Sequence, residues 1–314
     1  MDFHTSKHNG YLMVELLVSL VIVLVLMQFL LPLLNNSRNQ MLSKMRVMDR
    51  IELKEAIVDH FQSQLAPILW RACGVASTGN AIENSVDNSE MKNTMLVQIG
   101  NSAGVLPERL INKNIAQSTD WLMATQRGIC RYSTRLSSLA LTLPYSCSWD
   151  AGDEIVFEQC GGFSYGIVEK VTTTESHVKF SDESLLKEGN ESDENGVVVG
   201  HNPYIWYLNK KERYTGFWRT PQISGNSLEL WSGIEKLAIY PLLDIDLDGA
   251  FDTLATEYKM YSLAQLKGFW LELIVNDMRC NSTSVHDSNY QNHRGVSWSY
   301  NTDCAFPLQF MVSK

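Results

Sequence analysis

Residues 10–34 read Gly10-Tyr11-Leu12-Met13-Val14-Glu15 followed by LLVSLVIVLVLMQFLLPLL, an uncharged run that ends at Leu34. A helix over 11–34 is about 36 Å long at about 1.5 Å per residue, enough to cross the roughly 30 Å of hydrocarbon in a bilayer. The run is therefore a candidate membrane span. It holds one carboxylate, Glu15. An acid at the centre of a bilayer costs on the order of 2.5 to 3.5 kcal/mol, less near one end, so Glu15 calls for a cation.

Two plainer readings compete with a specialised helix, a secretory signal and a simple single-pass anchor. A secretory signal has a shorter apolar core followed by small residues at a cleavage site. Here the run is followed by Asn35-Asn36-Ser37-Arg38, which offers no such site. The flanking charges point the opposite way from an exported C-terminal part. Lys7 precedes the span, whereas Arg38, Lys44, Arg46, Arg50 and Lys54 follow it, and positive charge ordinarily stays on the cytoplasmic side. The cysteines and the cleavage signature discussed below outweigh that bias.

Of the 314 residues, about 240 lie beyond the helical region, ample for a real core. The formal net charge of −9 argues against nonspecific nucleic-acid binding, which requires a basic face to displace phosphate counterions. The six cysteines, Cys73, Cys130, Cys147, Cys160, Cys280 and Cys304, contain no C-x-x-C spacing. Zinc ribbons and thioredoxin-like sites are thereby disfavoured, and disulfides formed in an oxidising compartment such as the periplasm fit better. Proximity in sequence suggests Cys130 with Cys147 and Cys280 with Cys304, leaving Cys73 with Cys160; buried free thiols are the alternative.

Beyond Ser37 the chain becomes polar while keeping a helical pattern. Met41, Met45, Met48, Ile57, Phe61, Leu65 and Ile68 recur at mostly three- and four-residue steps, the mark of an apolar stripe. The expectation is an amphipathic continuation of the membrane helix over 35–72, with its stripe on a β-sheet and Pro67 bending or ending it. Residues 77–95 and the acidic stretch 181–195 read as loops. Strand-like segments, rich in β-branched and aromatic residues, fall at 94–99, 139–143, 153–159, 164–173, 177–180, 197–199, 204–208, 227–231, 237–243 and 269–276. The expected class is α+β, one long helix packed on a mostly antiparallel sheet.

Three groups of residues invite a chemical reading. Asp244, Asp246, Asp248 and Asp252 lie in D-I-D-L-D-G-A-F-D, with Gly249 at a sharp turn. Alternating carboxylates before a glycine resemble the start of an EF-hand loop, whose hard oxygens suit calcium. The twelfth loop position, where a bidentate Glu is expected, is Ala255, and Glu257 lies two residues further on. An acidic solvated turn is the alternative. Gly162-Phe163-Ser164-Tyr165-Gly166 matches the nucleophile-elbow string, but an elbow requires a helix after the turn. Ile167 to Thr172 reads as a strand, so the glycines mark a hairpin. The seven histidines show no metal spacing and read as surface residues.

The Gly10 to Glu15 motif and its apolar run resemble the N-terminus of the type IV pilin superfamily, which includes the pseudopilins of type II secretion. Tyr11 stands where phenylalanine is usual, and Pro32 falls where a helix-loosening proline is common. The resemblance implies cleavage after Gly10 by a prepilin peptidase on the cytoplasmic side and methylation of the new amino terminus at Tyr11. It further implies that Glu15 neutralises the terminal amine of a neighbouring subunit during assembly. The domains it implies are a leader 1–10, a transmembrane half 11–34, an amphipathic half 35–72 and a periplasmic β-rich domain 73–314. Within the superfamily, Leu69-Trp70-Arg71-Ala72-Cys73-Gly74, the stretch Gly233 to Leu237 and the aspartate run resemble PilW-type minor pilins. Such a protein is expected to be non-enzymatic. It would sit in the bacterial inner membrane and then the pilus, with other minor pilins, the major pilin and the inner-membrane assembly platform as partners. The alternatives are a minor pseudopilin and a membrane-anchored periplasmic enzyme or binding module.

Overall fold

The computed structural model describes residues 9–70, 96–135, 138–144, 147, 149–159, 162–180, 196–278, 280 and 286–313. The leading element is a single α-helix, α1 (Asn9–Leu65), followed by a 3₁₀ turn over Ala66–Leu69. The chain divides into two units, Met1–Val58 and Asp59–Lys314, and α1 runs through the boundary.

In the first unit the stretch Val14–Arg38 has a mean hydropathy of 2.8 and is long and apolar enough to span a membrane. Its side chains are exposed along the whole length, as a lipid-facing helix requires. α1 continues through Pro32, because a single proline removes one backbone donor while the turns on either side keep theirs. At the other end the expected helix to residue 72 stops short. Pro67 has no N–H for the next α-type bond, and the chain tightens into 3₁₀ geometry after Leu65.

The second unit is β-rich. In chain order its described strands are β1 (Leu96–Asn101), β2 (Asp120–Thr134), β3 (Ala140–Pro144), β4 (Glu154–Gln159), β5 (Gly162–Val171), β6 (Glu175–Phe180), β7 (Gly196–Lys210) and β8 (Thr215–Pro221). They continue with β9 (Leu228–Ser232), β10 (Ile234–Leu243), β11 (Thr253–Leu254), β12 (Met260–Ser262), β13 (Leu266–Asn276), β14 (Asp287–Gln291), β15 (Ser297–Asn301) and β16 (Ala305–Ser313). A ten-stranded sheet runs β12-β1-β2-β7-β4-β5-β6-β3, with β8 on β7 and β9 on β8. A second sheet runs β11-β10-β13-β16, and β14-β15 form a separate hairpin. All these pairings are antiparallel. The class is thus α+β, as the sequence pattern implies.

Several segments differ from the sequence reading. The segments 197–199 and 204–208 belong to one strand, β7, which carries β4 beside its first half and β8 beside its second. The partner along its other edge, β2, has no counterpart among the expected strands. A bulge sets Arg127 opposite His201 and Arg131 opposite Val199, so four residues of β2 span two of β7 and its alternation is lost. Strands β8, β11, β12, β14, β15 and β16 are likewise additions. The expected loops at 77–95 and 181–195 lie outside the described residues, as do Cys73 and Cys160.

The end of α1 supplies Phe61 and Leu65, and the 3₁₀ turn supplies Ile68 and Leu69, all buried. The spacing i, i+4, i+7, i+8 keeps them on one face. Phe61 stacks on Phe217 of β8 at 4.3 Å and meets Phe310 of β16 edge-on at 5.7 Å, so its ring closes the seam between the two sheets. A separate core beneath β4 to β6 gathers Cys147, Phe157, Val168, Phe180 and Val198. The hairpin β14-β15 covers the other face of β10 and β13, where Trp298 packs with Ala238, Tyr240 and Ile274.

Candidate functional site

Gly10 and Tyr11 lie in the first turns of α1, Glu15 is exposed on it, and Pro32 lies inside it. Among the described residues no cation sits beside Glu15. Its carboxylate is carried on an otherwise lipid-compatible surface.

The aspartate loop joins β10 to β11. Ligand oxygens of Asp244, Asp246 and Asp252 come within 4.8 Å of one another. Asp248 is not drawn into that trio; its Oδ1 accepts the N–H of Ala250 at 2.7 Å. Gly249 has φ +99°, a left-handed turn that glycine adopts without strain, and its N–H donates to Asp244 Oδ2 at 2.9 Å. Asp252 Oδ2 accepts from the N–H groups of Ile245 and Asp246 at 2.6 and 3.4 Å. Asp244 is fully buried, and Lys267 Nζ lies 2.7 Å from its Oδ2. Burial pushes that carboxyl up, but the lysine and the loop N–H groups outweigh it and hold Asp244 below the usual carboxylate range. Its Oδ1 is buried without a hydrogen-bond partner. Glu257 is turned to Lys259, 2.5 Å away, so it does not fill the missing twelfth ligand.

Cys280 and Cys304 form a disulfide, with Cα atoms 5.3 Å apart. Cys147 is also disulfide-bonded. Cys130 lies in β2 near the bulge, but its side chain is outside the described residues, as are Cys73 and Cys160. Among the described residues no cysteine is free.

Ser164 sits within β5, which pairs with β4 across a hairpin, and its side chain is buried. The strand-turn-helix context of a nucleophile elbow is missing there.

A dense polar constellation lies where the tip of the β14-β15 hairpin meets both sheets, assembled from residues far apart in the chain. Arg294 pairs with Asp120 at 2.5 Å, with side chains 7% and 2% exposed. It also donates to the carbonyls of Ile239 and Thr256 at 2.7 and 2.6 Å. Its guanidinium lies 4.2 Å from the ring centres of both Tyr240 and Tyr258. Asp120 further accepts from the Ile239 N–H, the Tyr258 hydroxyl and the Asn101 amide at 2.8, 2.9 and 3.1 Å. Burial raises the Asp120 carboxyl, and the Arg294 charge opposes that rise. Burial and the Asp120 charge push Tyr258 up to about 12, so it remains a donor.

One strand over, Glu272 is fully buried and accepts from the hydroxyls of Tyr290 and Tyr240 at 2.8 and 2.9 Å. It also accepts from the His293 N–H at 3.1 Å and contacts His293 Nδ1. These donors converge on one carboxylate, so the group fastens the hairpin to β13. A third buried pair joins Arg127 and Glu158 at 2.6 Å. Nearby, burial and then the Arg127 charge lower His201 to about 4, so this histidine is a neutral, largely buried group and not the surface residue its sequence context suggests. The one warning in the sequence was Glu272 itself, a charge within Trp270-Leu271-Glu272-Leu273-Ile274.

No family model, no curated protein and no solved structure matches this chain.

Proposed function

We propose that this protein is a membrane-anchored filament subunit of the pilin kind, a minor pilin that helps to start or cap a type IV pilus and so supports adhesion, motility or DNA uptake. The precursor is cut after Gly10 by a prepilin peptidase, methylated on Tyr11, and held by residues 11–34 in the inner membrane with the β-rich part in the periplasm. From there it joins other minor pilins and the major pilin through the assembly platform. The observation that carries this reading is Glu15, an exposed carboxylate four residues beyond Tyr11 on a helix that is otherwise uncharged as far as Leu34. The cost of holding a charge at that depth makes sense where a neighbouring subunit brings its terminal amine to it. In this reading the chain does no chemistry; its buried carboxylates serve packing.

Mass spectrometry of the mature N-terminus tests it directly. The expected product begins at methylated Tyr11, and a working protein that retains residues 1–10, or one cut beyond Leu34, overturns the reading. Glu15→Ala should abolish filament incorporation while leaving the membrane level unchanged. An anchored enzyme or binding module would be indifferent to that change.

As a subsidiary reading we propose calcium at the loop of Asp244, Asp246 and Asp252. It is supported by the buried, unpartnered Oδ1 of Asp244 and by the preference of calcium for clustered oxygens. Calorimetric titration with calcium should give heat that Asp246→Asn removes, and a silent titration rejects the site.

A further inference from the structure

We propose that the membrane span pairs with a second copy of itself through Gln28. The span Val14–Arg38 carries few hydrogen-bonding side chains. Glu15 lies at one end, and Ser19 satisfies itself by donating to the carbonyl of Leu16 at 2.8 Å. Gln28 lies two residues from the middle of the span, is exposed, and has no partner among the described residues. Pro32 deepens the deficit. Having no N–H, it cannot bond the carbonyl four residues earlier, and that carbonyl belongs to Gln28. A carboxamide and a backbone acceptor are thus left unmet at one level of the helix, where hydrocarbon offers neither donor nor acceptor.

The occupant follows from depth and chemistry. Two copies inserted in the same orientation bring Gln28 against Gln28 at the same height. A carboxamide is its own complement, giving N–H to an opposing oxygen and accepting one in return. The second N–H can reach the carbonyl that Pro32 leaves unbonded. A partner of different sequence would need a polar group at this same depth. The surroundings suit a parallel pair. Val14, Leu17, Val21, Leu24, Gln28, Leu31 and Asn35 follow alternating steps of three and four, with valine or a carboxamide at one position and leucine at the other. That is the pattern of parallel two-stranded coils, in which one buried carboxamide fixes register. So apolar a span offers aliphatic residues in any frame, and the carboxamides Gln28 and Asn35, seven residues apart, select this one. Glu15 lies 13 residues before Gln28, about 140° around the helix at about 100° per residue. Pairing therefore leaves the Glu15 face open, and the inference does not depend on the filament reading.

The test uses the full chain in bilayers. Leu24→Cys and Leu31→Cys on the Gln28 face should cross-link on oxidation, while Leu26→Cys and Leu33→Cys on the far face should not. Sedimentation equilibrium in detergent should show dimers that Gln28→Leu weakens about three- to twenty-fold, the range for one membrane hydrogen bond, and that Gln28→Asn largely retains. Leucine inserts more readily than glutamine, so loss of pairing cannot be put down to failed insertion. Glu15→Ala should pair as the wild type does. A monomeric wild type, a Gln28→Leu variant that dimerises equally well, or far-face cross-links of equal yield overturn the proposal.

Discussion

Replacing Arg294 by methionine keeps the length of its stem and removes what is, among the described residues, the one cation paired with Asp120. Both side chains are almost wholly buried, and removing one member of such a pair typically costs about 3 to 5 kcal/mol because the other charge stays behind. Losing the two tyrosine faces 4.2 Å away adds roughly 0.5 to 2 kcal/mol. Asp120 keeps its three neutral donors, which limits the loss, and about 4 kcal/mol is expected at neutral pH. The pH dependence follows from the sign of the shift. The folded-state pKa of Asp120 lies above its unfolded value, so the folded protein holds the extra proton and stability falls as pH rises through that window. Removing Arg294 takes away the charge that opposes the rise and moves the window upward. The deficit of the variant should therefore be largest near pH 7 and shrink in acid, where a protonated Asp120 needs no cation. Urea unfolding of the detergent-solubilised chain, followed by tryptophan fluorescence with the slope checked for constancy, measures this. Adding Asp120→Asn should recover part of the loss. A deficit below about 1 kcal/mol, the level of an exposed pair, or one that does not change with pH, would refute the reasoning.

The same assay reaches three other sites. Burial and Arg127 hold His201 at about 4, below its unfolded value, so its contribution is present above about pH 6.5 and is lost as pH falls toward 4. His201→Asn should remove about 2 kcal/mol of the wild-type loss between pH 7 and 5; an unchanged pH profile would count against a buried neutral imidazole. Opening the Cys280–Cys304 bridge, 24 residues apart in sequence, by Cys280→Ala with Cys304→Ala should lower stability by about 3 kcal/mol on loop entropy, and reductant should then have less effect on the double variant than on the wild type. Gly100 faces Trp121 across β1 and β2, and a Cβ there would lie 2.2 Å from the indole. Gly100→Ala should thus cost about 1 to 3 kcal/mol and shift the tryptophan emission; a silent substitution would mean that the indole is not fixed.

What could be read from the sequence was local. The apolar run to Leu34, the turn at Gly249, the helix stop at Pro67 and the short separation of Cys280 from Cys304 each depend on residues close together in the chain. The segments that became β4, β5, β6, β10 and β13 also showed themselves, because β5 and β6 carry an apolar face and β4, β10 and β13 hold nearly unbroken apolar runs. β2 did not, since its bulge breaks the alternation and it places Arg127 inward against Glu158. The β14-β15 hairpin reads as polar because its tip spends its polar groups on Glu272 and Asp120. Asp120 and Arg294 lie 174 residues apart, and no periodicity in either neighbourhood tells that they meet. Asp248 looked equal to its neighbours in the motif and was separated from them only by the path of the turn.

The seam around Phe61 has a consequence for biogenesis. Gln62, one residue on, donates to the carbonyl of Ser313 at 2.6 Å across 251 positions, and Phe310 supplies one wall of the Phe61 pocket. A ribosome therefore releases the greasy end of the helix long before the strand that shelters it exists. The nascent polypeptide must wait for β16 before that surface can close, and contacts so distant in sequence form slowly. Loss of β16 would strike far along the chain from the helix and yet leave the foot of that helix uncovered.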